Sequence, residues 1–129
     1  MARLSLRIDF SNGTQIGPGK VRLLELIGET GSIAAAGRAL GMSYRRAWLL
    51  VDEMNGIFRE PVVASRTGGM RGGGAQLTPL GKRVVTHYRA IETGAAKAGS
   101  RPLGALERAL GTPSQGDQSQ GDQSRQAKG

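Results

Sequence analysis

The chain has 129 residues, enough for one modest domain with extensions. Its 18 Lys and Arg outnumber 10 Asp and Glu, giving a formal net charge of +8 and a pI near 11.1; that balance favours an anionic partner, whether nucleic acid, an anionic membrane surface or an acidic protein. The absence of cysteine excludes a disulfide framework and a thiolate metal site, and without a run of ~18 apolar residues no membrane-spanning helix is expected.

The N-terminus alternates. Leu4, Leu6, Ile8 and Phe10 fall on one face of a strand, with Arg3, Ser5, Arg7 and Asp9 on the other. The pattern lacks the continuous apolar core of a signal peptide, so a soluble, cytoplasmic protein is expected. Ser11-Asn12-Gly13 is a turn signal. Gly17-Pro18-Gly19 then leads into a helix from about Pro18 to Thr30, with Pro18 near its first turn. Leu23, Leu24, Leu26 and Ile27 give that helix a broad apolar face, and Gly31 ends it.

The stretch Ser32 to Phe58 reads as two helices joined by a tight turn. Ser32 is a good N-cap, and Ile33, Ala36, Gly37 and Leu40 fall at i, i+3, i+4 and i+7. Gly41-Met42 breaks this helix. Ser43 caps the next, in which Ala47, Leu50, Val51, Met54 and Phe58 recur on one side. Small residues in the first helix let the second cross it closely, and two helices with a short glycine-containing turn are the sequence form of a helix-turn-helix. In that motif the N-terminal turn of the second helix enters the DNA major groove. Here that turn is Ser43-Tyr44-Arg45-Arg46. The helix dipole prefers acids at this end by ~0.3–1 kcal/mol, a mismatch that a nearby polyanion resolves. An αα-hairpin by itself is as often a packing unit, so the rest of the chain must decide.

Pro61 forbids continuation of the second hairpin helix. Val62-Val63-Ala64-Ser65-Arg66 is a short strand, Thr67-Gly68-Gly69-Met70-Arg71-Gly72-Gly73-Gly74 a loop, and Ala75-Gln76-Leu77 a return strand. After a helix-turn-helix such a β-hairpin is a wing. The loop has no Gly-Lys-Ser/Thr ending and lies in no βαβ unit, so a nucleotide-binding reading is not supported. Laid along DNA, its glycines bring backbone N–H groups close to phosphates, and Arg66 and Arg71 flank the tip. The alternative is a merely disordered loop.

Thr78-Pro79 opens another helix, a capping threonine with proline at the first helical position. Leu80, Val84, Val85, Tyr88 and Ile91 continue at helical spacing to about Lys97, with Gly94 a weak point. A helix that outruns its own core completes its burial on another subunit, so this one is expected to dimerise. Beyond Ala98 a short helix is expected over Arg101 to Gly111. From Thr112 the chain is polar, and Ser114-Gln115-Gly116-Asp117-Gln118 recurs as Ser119-Gln120-Gly121-Asp122-Gln123; nothing there offsets ordering entropy. The division expected is a DNA-binding and dimerisation domain over 1–98, then a short helix and a disordered tail over 99–129.

No cluster of His, Asp and Glu has metal spacing, no nucleophile–base pair appears, and no cofactor is expected. His87, the only histidine, reads as an exposed or interface residue, and Asp52-Glu53 and Glu29 as helix-surface charges. Trp48 is expected to anchor the small core in preference to contacting a base, and Tyr88 to lie in the core or at a dimer interface.

Several stretches together resemble one family: Gly31-Ser32-Ile33, Ser43-Tyr44-Arg45-Arg46-Ala47-Trp48, Glu53-Met54-Asn55, Thr67-Gly68-Gly69-Met70-Arg71-Gly72-Gly73-Gly74-Ala75 and Leu77-Thr78-Pro79-Leu80-Gly81. They are similar to the N-terminal domain of ModE-type molybdenum-responsive transcription regulators and, more distantly, to LysR-type winged helices. The match covers about residues 1 to 97. It implies a mainly α (α+β) winged helix-turn-helix with an N-terminal strand, a two-stranded wing and a long C-terminal dimerisation helix. It also implies a homodimer formed through the first strand, first helix and long last helix, on which Leu6, Ile8, Leu24, Val84, Tyr88 and Ile91 stand. The implied partner is double-stranded DNA bearing a palindromic operator, and the implied context is molybdate transport or molybdoenzyme expression. Family members carry a C-terminal molybdate-binding module; nothing after Ala98 looks like it, so oxyanion sensing is expected from a separate protein, or binding is constitutive.

The expected function is therefore a DNA-binding transcriptional regulator, not an enzyme, acting on the nucleoid. Arg45 and Arg46 are expected in the major groove, with Ser43 and Tyr44 on phosphate or base edges. Ser32 is expected to offer its backbone N–H to phosphate, and Arg66, Thr67, Gly68, Gly69 and Arg71 to make wing contacts. Two rival readings remain: a winged helix that docks a separate sensor protein, and a non-specific nucleoid-type DNA binder.

Overall fold

The computed structural model describes residues 2–66 and 74–111. The N-terminal strand is shorter than expected: β1 is Ile8–Asp9, paired antiparallel with an unexpected β2, Gln15–Ile16. The alternation itself persists, since Leu4, Leu6, Ile8 and Phe10 are half-buried while Arg3, Ser5, Arg7 and Asp9 are exposed. A strand exists only where a partner supplies a ladder, and this hairpin supplies one for two residues. Sequence alternation therefore reports burial over a longer reach than pairing.

Helix α1, Pro18–Thr30, starts with proline in its first turn and ends at Gly31, whose N–H donates to the Ile27 carbonyl. Its Val21, Leu23, Leu24 and Ile27 are fully buried at the centre of the core. Leu24, expected at a subunit interface, is thus corrected: at 0 % exposure it packs inside its own chain and has no surface left for a second copy.

Helices α2, Ile33–Ala39, and α3, Tyr44–Asn55, form the expected helix-turn-helix. Both caps are made by serine: Ser32 Oγ accepts from the Ala35 N–H at 3.0 Å and Ser43 Oγ from the Arg46 N–H at 3.1 Å. The crossing needs Gly37, because a Cβ there would lie 2.9 Å from the Ala47 Cβ. Helix α3 stops short of Phe58, which instead packs edge-on against Phe10 with ring centroids 5.6 Å apart.

The wing base follows as β3, Val63–Arg66, and β4, Gly74–Leu77, antiparallel with Val63 opposite Leu77 and Arg66 opposite Gly74. The expected tip contacts Thr67, Gly68, Gly69 and Arg71 lie outside the described residues. Helix α4, Pro79–Ala98, runs uninterrupted through Gly94. Thr78 sets its start, with Oγ1 accepting from the Gly81 N–H and donating to the Pro61 carbonyl. Gly81 is obligatory there, since any Cβ would collide with the Val62 carbonyl oxygen. Residues Leu4–Lys97 form one compact unit, a mainly α winged helix. In the second unit, α5 spans Ser100–Arg108, and Leu106 and Leu110 are exposed.

Charged groups tie α1 to α4. Arg89 donates to both oxygens of Glu25, at 3.0 Å each, and to Glu92 at 2.7 Å, while Arg22 also donates to Glu25. The Arg89 guanidinium lies 5.5 Å from the centroid of the Tyr88 ring. These bonds hold the Glu25 carboxyl below its ordinary range, Arg89 being the largest cause and partial burial opposing it. A depressed carboxylate pKa contributes stability that is present above the ordinary range and lost as pH falls through the depressed value. Because Arg89 is 36 % exposed, solvent screening keeps the contribution to about 1 kcal/mol or less. Glu25→Gln should therefore lower the thermal midpoint at neutral pH. The gap to the parent chain should close in acid below the ordinary carboxylate range, as followed by circular dichroism melts across pH.

Candidate nucleic-acid interface

The face of α3 turned away from the core follows from its period. Ala47, Val51 and Met54 are buried, so Arg45, Leu49 and Asp52, at i, i+4 and i+7, share the outer surface, and all three are exposed. Tyr44 and Trp48 flank this stripe on the wing side, 56 % and 46 % exposed. Arg46 and Glu53 flank the other side, and Glu53 bridges to Lys20 of α1 at 2.8 Å. None of the ion pairs among the described residues includes Arg45 or Arg46. Two arginines thus stand without acidic partners at the end of a helix whose dipole repels cations.

What positions α3 is a residue not expected from sequence reasoning. Asn55 continues the stripe of Ala47 and Val51, at i+8 and i+4, so an amide is aimed at the interior. Its Oδ1 accepts from the N–H groups of Val62, at 2.8 Å, and Val63, at 3.0 Å, and its Nδ2 donates to the Val63 carbonyl at 3.2 Å. One side chain thereby splices the end of α3 onto the first wing strand. A polar residue in register with a buried stripe must find partners, and that signal was available in the sequence. From the other direction, the Asn12 amide donates to the Ile57 carbonyl just beyond the helix.

The wing base is tied to the α1–α2 turn as well. The Ala75 N–H donates to the Gly31 carbonyl at 3.0 Å. The Arg66 guanidinium folds over the same glycine, where a Cβ would approach its Nη2 to 2.9 Å. It thus sits at the negative end of α1, and in this position it braces the wing.

Between α3, the start of α2 and the wing base runs a trough of about 390 Å³, lined chiefly by Tyr44, Trp48, Ile33, Ala34, Ala64 and Ala75. Trp48 contributes to its wall and not to the core, contrary to the expected anchoring role. It is one turn from Tyr44 on the flank, whereas the buried direction belongs to Ala47 and Val51. Ser32 also lines the trough, but its N–H, expected on phosphate, already donates to Thr30 Oγ1 at 3.2 Å. Ser43, Tyr44, Arg45 and Arg46 therefore come together on one exposed turn, with Arg66 set apart on the wing.

The residues expected at a dimer interface separate likewise. Leu6, Ile8 and Val84 are half-buried and Ile91 is 49 % exposed, whereas Tyr88 is buried, its hydroxyl donating to the Leu6 carbonyl at 2.6 Å. Burial raises the Tyr88 phenol above its ordinary pKa. Among the described residues no group of His, Cys, Asp and Glu could hold a metal ion, and no helix is long and apolar enough to cross a membrane.

No protein-family model matches the chain. Similar proteins are nevertheless clear. The chain is 46 % identical over 98 residues to the molybdenum-pterin-binding protein MopB of Rhodobacter capsulatus, covering 76 % of this chain and 35 % of that protein. It is 45 % identical over 92 residues to the molybdenum transport protein ModE of Azotobacter vinelandii, covering 71 % and 33 %. It is 39 % identical over 71 residues to the DNA-binding transcriptional dual regulator ModE of Escherichia coli K12, covering 55 % and 27 %. The chain spans about a third or less of the length of these relatives.

The Asn55 splice makes a direct prediction. Asn55→Ala leaves two buried N–H groups and a carbonyl without partners, at a cost of about 1–3 kcal/mol. Hydrogen exchange should speed up first at the Val62 and Val63 amides, ahead of those in α1. Uniform acceleration across the domain would instead make Asn55 an ordinary packing residue.

Proposed function

For a chain homologous to ModE-type proteins over more than half its length, we propose the role of a sequence-specific DNA-binding transcriptional regulator. The observation that carries this reading is the pair Arg45 and Arg46. They stand without acidic partners among the described residues, on a helix fixed by the α2 crossing at one end and by Asn55 at the other. A side chain can read bases only if its helix is held in register with the duplex. In this reading Arg45, centred on the exposed stripe, forms a bidentate contact with guanine O6 and N7. Arg46, on the α1 side of α3, meets the phosphate backbone, and the wing lies along the adjoining backbone.

We further propose that the domain acts as a homodimer on a palindromic operator. Support comes from the half-buried apolar edge of Leu6, Ile8 and Val84 and from exposed Ile91 on α4, a helix of 20 residues, about 30 Å long. Two copies of α3 would then enter successive major grooves ~34 Å apart. The names of the relatives support a tie to molybdenum, which we assign to the genes regulated, those for molybdate transport or molybdoenzymes. Such a protein works in the cytoplasm, on the nucleoid.

The test starts by selecting duplexes from a random pool with the full chain. Affinity is then measured by fluorescence anisotropy for the selected duplex and for a scrambled one. Arg45→Ala should weaken the selected duplex by the ~1–3 kcal/mol of one bidentate contact, and leave the scrambled duplex nearly unchanged. Equal losses on both would reduce Arg45 to a phosphate contact. Failure to enrich any sequence would remove the function.

A further inference from the structure

We infer that Trp48 and Leu49 read thymine, each covering a 5-methyl group in the major groove, so that α3 selects by apolar contact as well as through arginine. The inference rests on the DNA-binding reading above and adds what the helix recognises.

Six large hydrophobic side chains are exposed among the described residues, and three of them, Tyr44 at 56 %, Trp48 at 46 % and Leu49 at 53 %, stand on α3. Single exposed apolar residues are ordinary, but three within two turns form a patch. The same two turns carry Arg45 and Arg46, on a chain of net charge +8. A partner that complements this surface is anionic and also presents apolar groups. The major groove meets both conditions, since the thymine 5-methyl is the apolar group on its base edges.

The placement of the side chains sharpens the inference. Leu49 lies one turn beyond Arg45 on the outward stripe, about 6 Å along the axis. With base pairs stacked ~3.4 Å apart, the guanine met by Arg45 and the thymine met by Leu49 are one to two base pairs apart. Trp48 lies on the wing side, over the trough walled by Ile33 and Ala34 of α2 and by Ala64 of β3. It covers a second methyl, nearer the edge of the groove.

Replacing thymine by deoxyuridine deletes the methyl and keeps the base pair. Each thymine of the selected duplex is replaced in turn, and affinities are measured for the parent chain, Leu49→Ala and Trp48→Ala. Both changes fall on exposed side chains, and circular dichroism confirms folding. The parent chain should lose roughly fourfold in affinity, the worth of one buried methylene, at two positions in each half-site. One of these should lie within two base pairs of the guanine protected by Arg45. Leu49→Ala should abolish the methyl effect at that position only, and Trp48→Ala at the other only. Uniform tolerance of deoxyuridine, or full methyl discrimination by both variants, overturns the inference while sequence-specific binding through Arg45 stands. Enrichment of no sequence overturns both. Variants that bind DNA like the parent but no longer capture a protein partner would assign the patch to that partner and overturn the inference.

Discussion

The Asn55 amide makes three hydrogen bonds to Val62 and Val63, and these join the last turn of α3 to the first strand of the wing. All else at the exposed face inherits its position from this splice and from the crossing at Gly37, where α3 lies so close that a Cβ on residue 37 would come within 2.9 Å of the Ala47 Cβ. The wing base is held a second time, by the Ala75 N–H on the Gly31 carbonyl and by Arg66 folded over the same turn. In the proposed role, a helix free to rock by a few ångströms could not tell one base edge from another. The value of these bonds lies in register more than in net stability, since each contributes only about 1 kcal/mol.

The exposed face carries two kinds of imbalance together. Its arginines sit at the wrong end of a helix dipole, and its tryptophan, tyrosine and leucine sit in water. Neither helps the isolated domain to fold. In the proposed reading, both become favourable against one surface that is anionic along its rim and dotted with methyl groups along its floor. Some cations elsewhere are paired, as Arg89 is with Glu25 and Glu92, Lys20 with Glu53 and Arg7 with Asp9, whereas Arg38, Arg59 and Arg83 share with Arg45 and Arg46 the lack of an ion pair among the described residues.

Much of the architecture could be read from residue order because it is governed by local rules. Ser32 and Ser43 cap their helices through short-range hydrogen bonds, Thr78-Pro79 starts α4, and the small residues of α2 permit a close crossing. Features that depend on distant partners were less legible. The N-terminal alternation overstated β1 because pairing needs a second strand, and β2 carries only the weak pattern Gln15–Ile16. Trp48 does not anchor the core, because its place one residue past Ala47 turns it to the flank, where it is 46 % exposed. Asn55 showed its register on the buried stripe, though its partners at 62 and 63 lie across a turn that sequence spacing does not specify. Leu24 could not be divided from a subunit interface by period alone, as a helix with a broad apolar face offers several directions of burial.

We propose that two copies of the first turn of α3 lie in successive major grooves on one side of a duplex. Methylation interference with dimethyl sulfate on the selected duplex tests it most directly, because the reagent modifies guanine N7 on the major-groove edge. The account predicts that binding is blocked by modified guanines in two symmetric sets, centred about one helical turn, ~34 Å, apart. A single interfering set, or binding indifferent to N7 modification throughout, would contradict it.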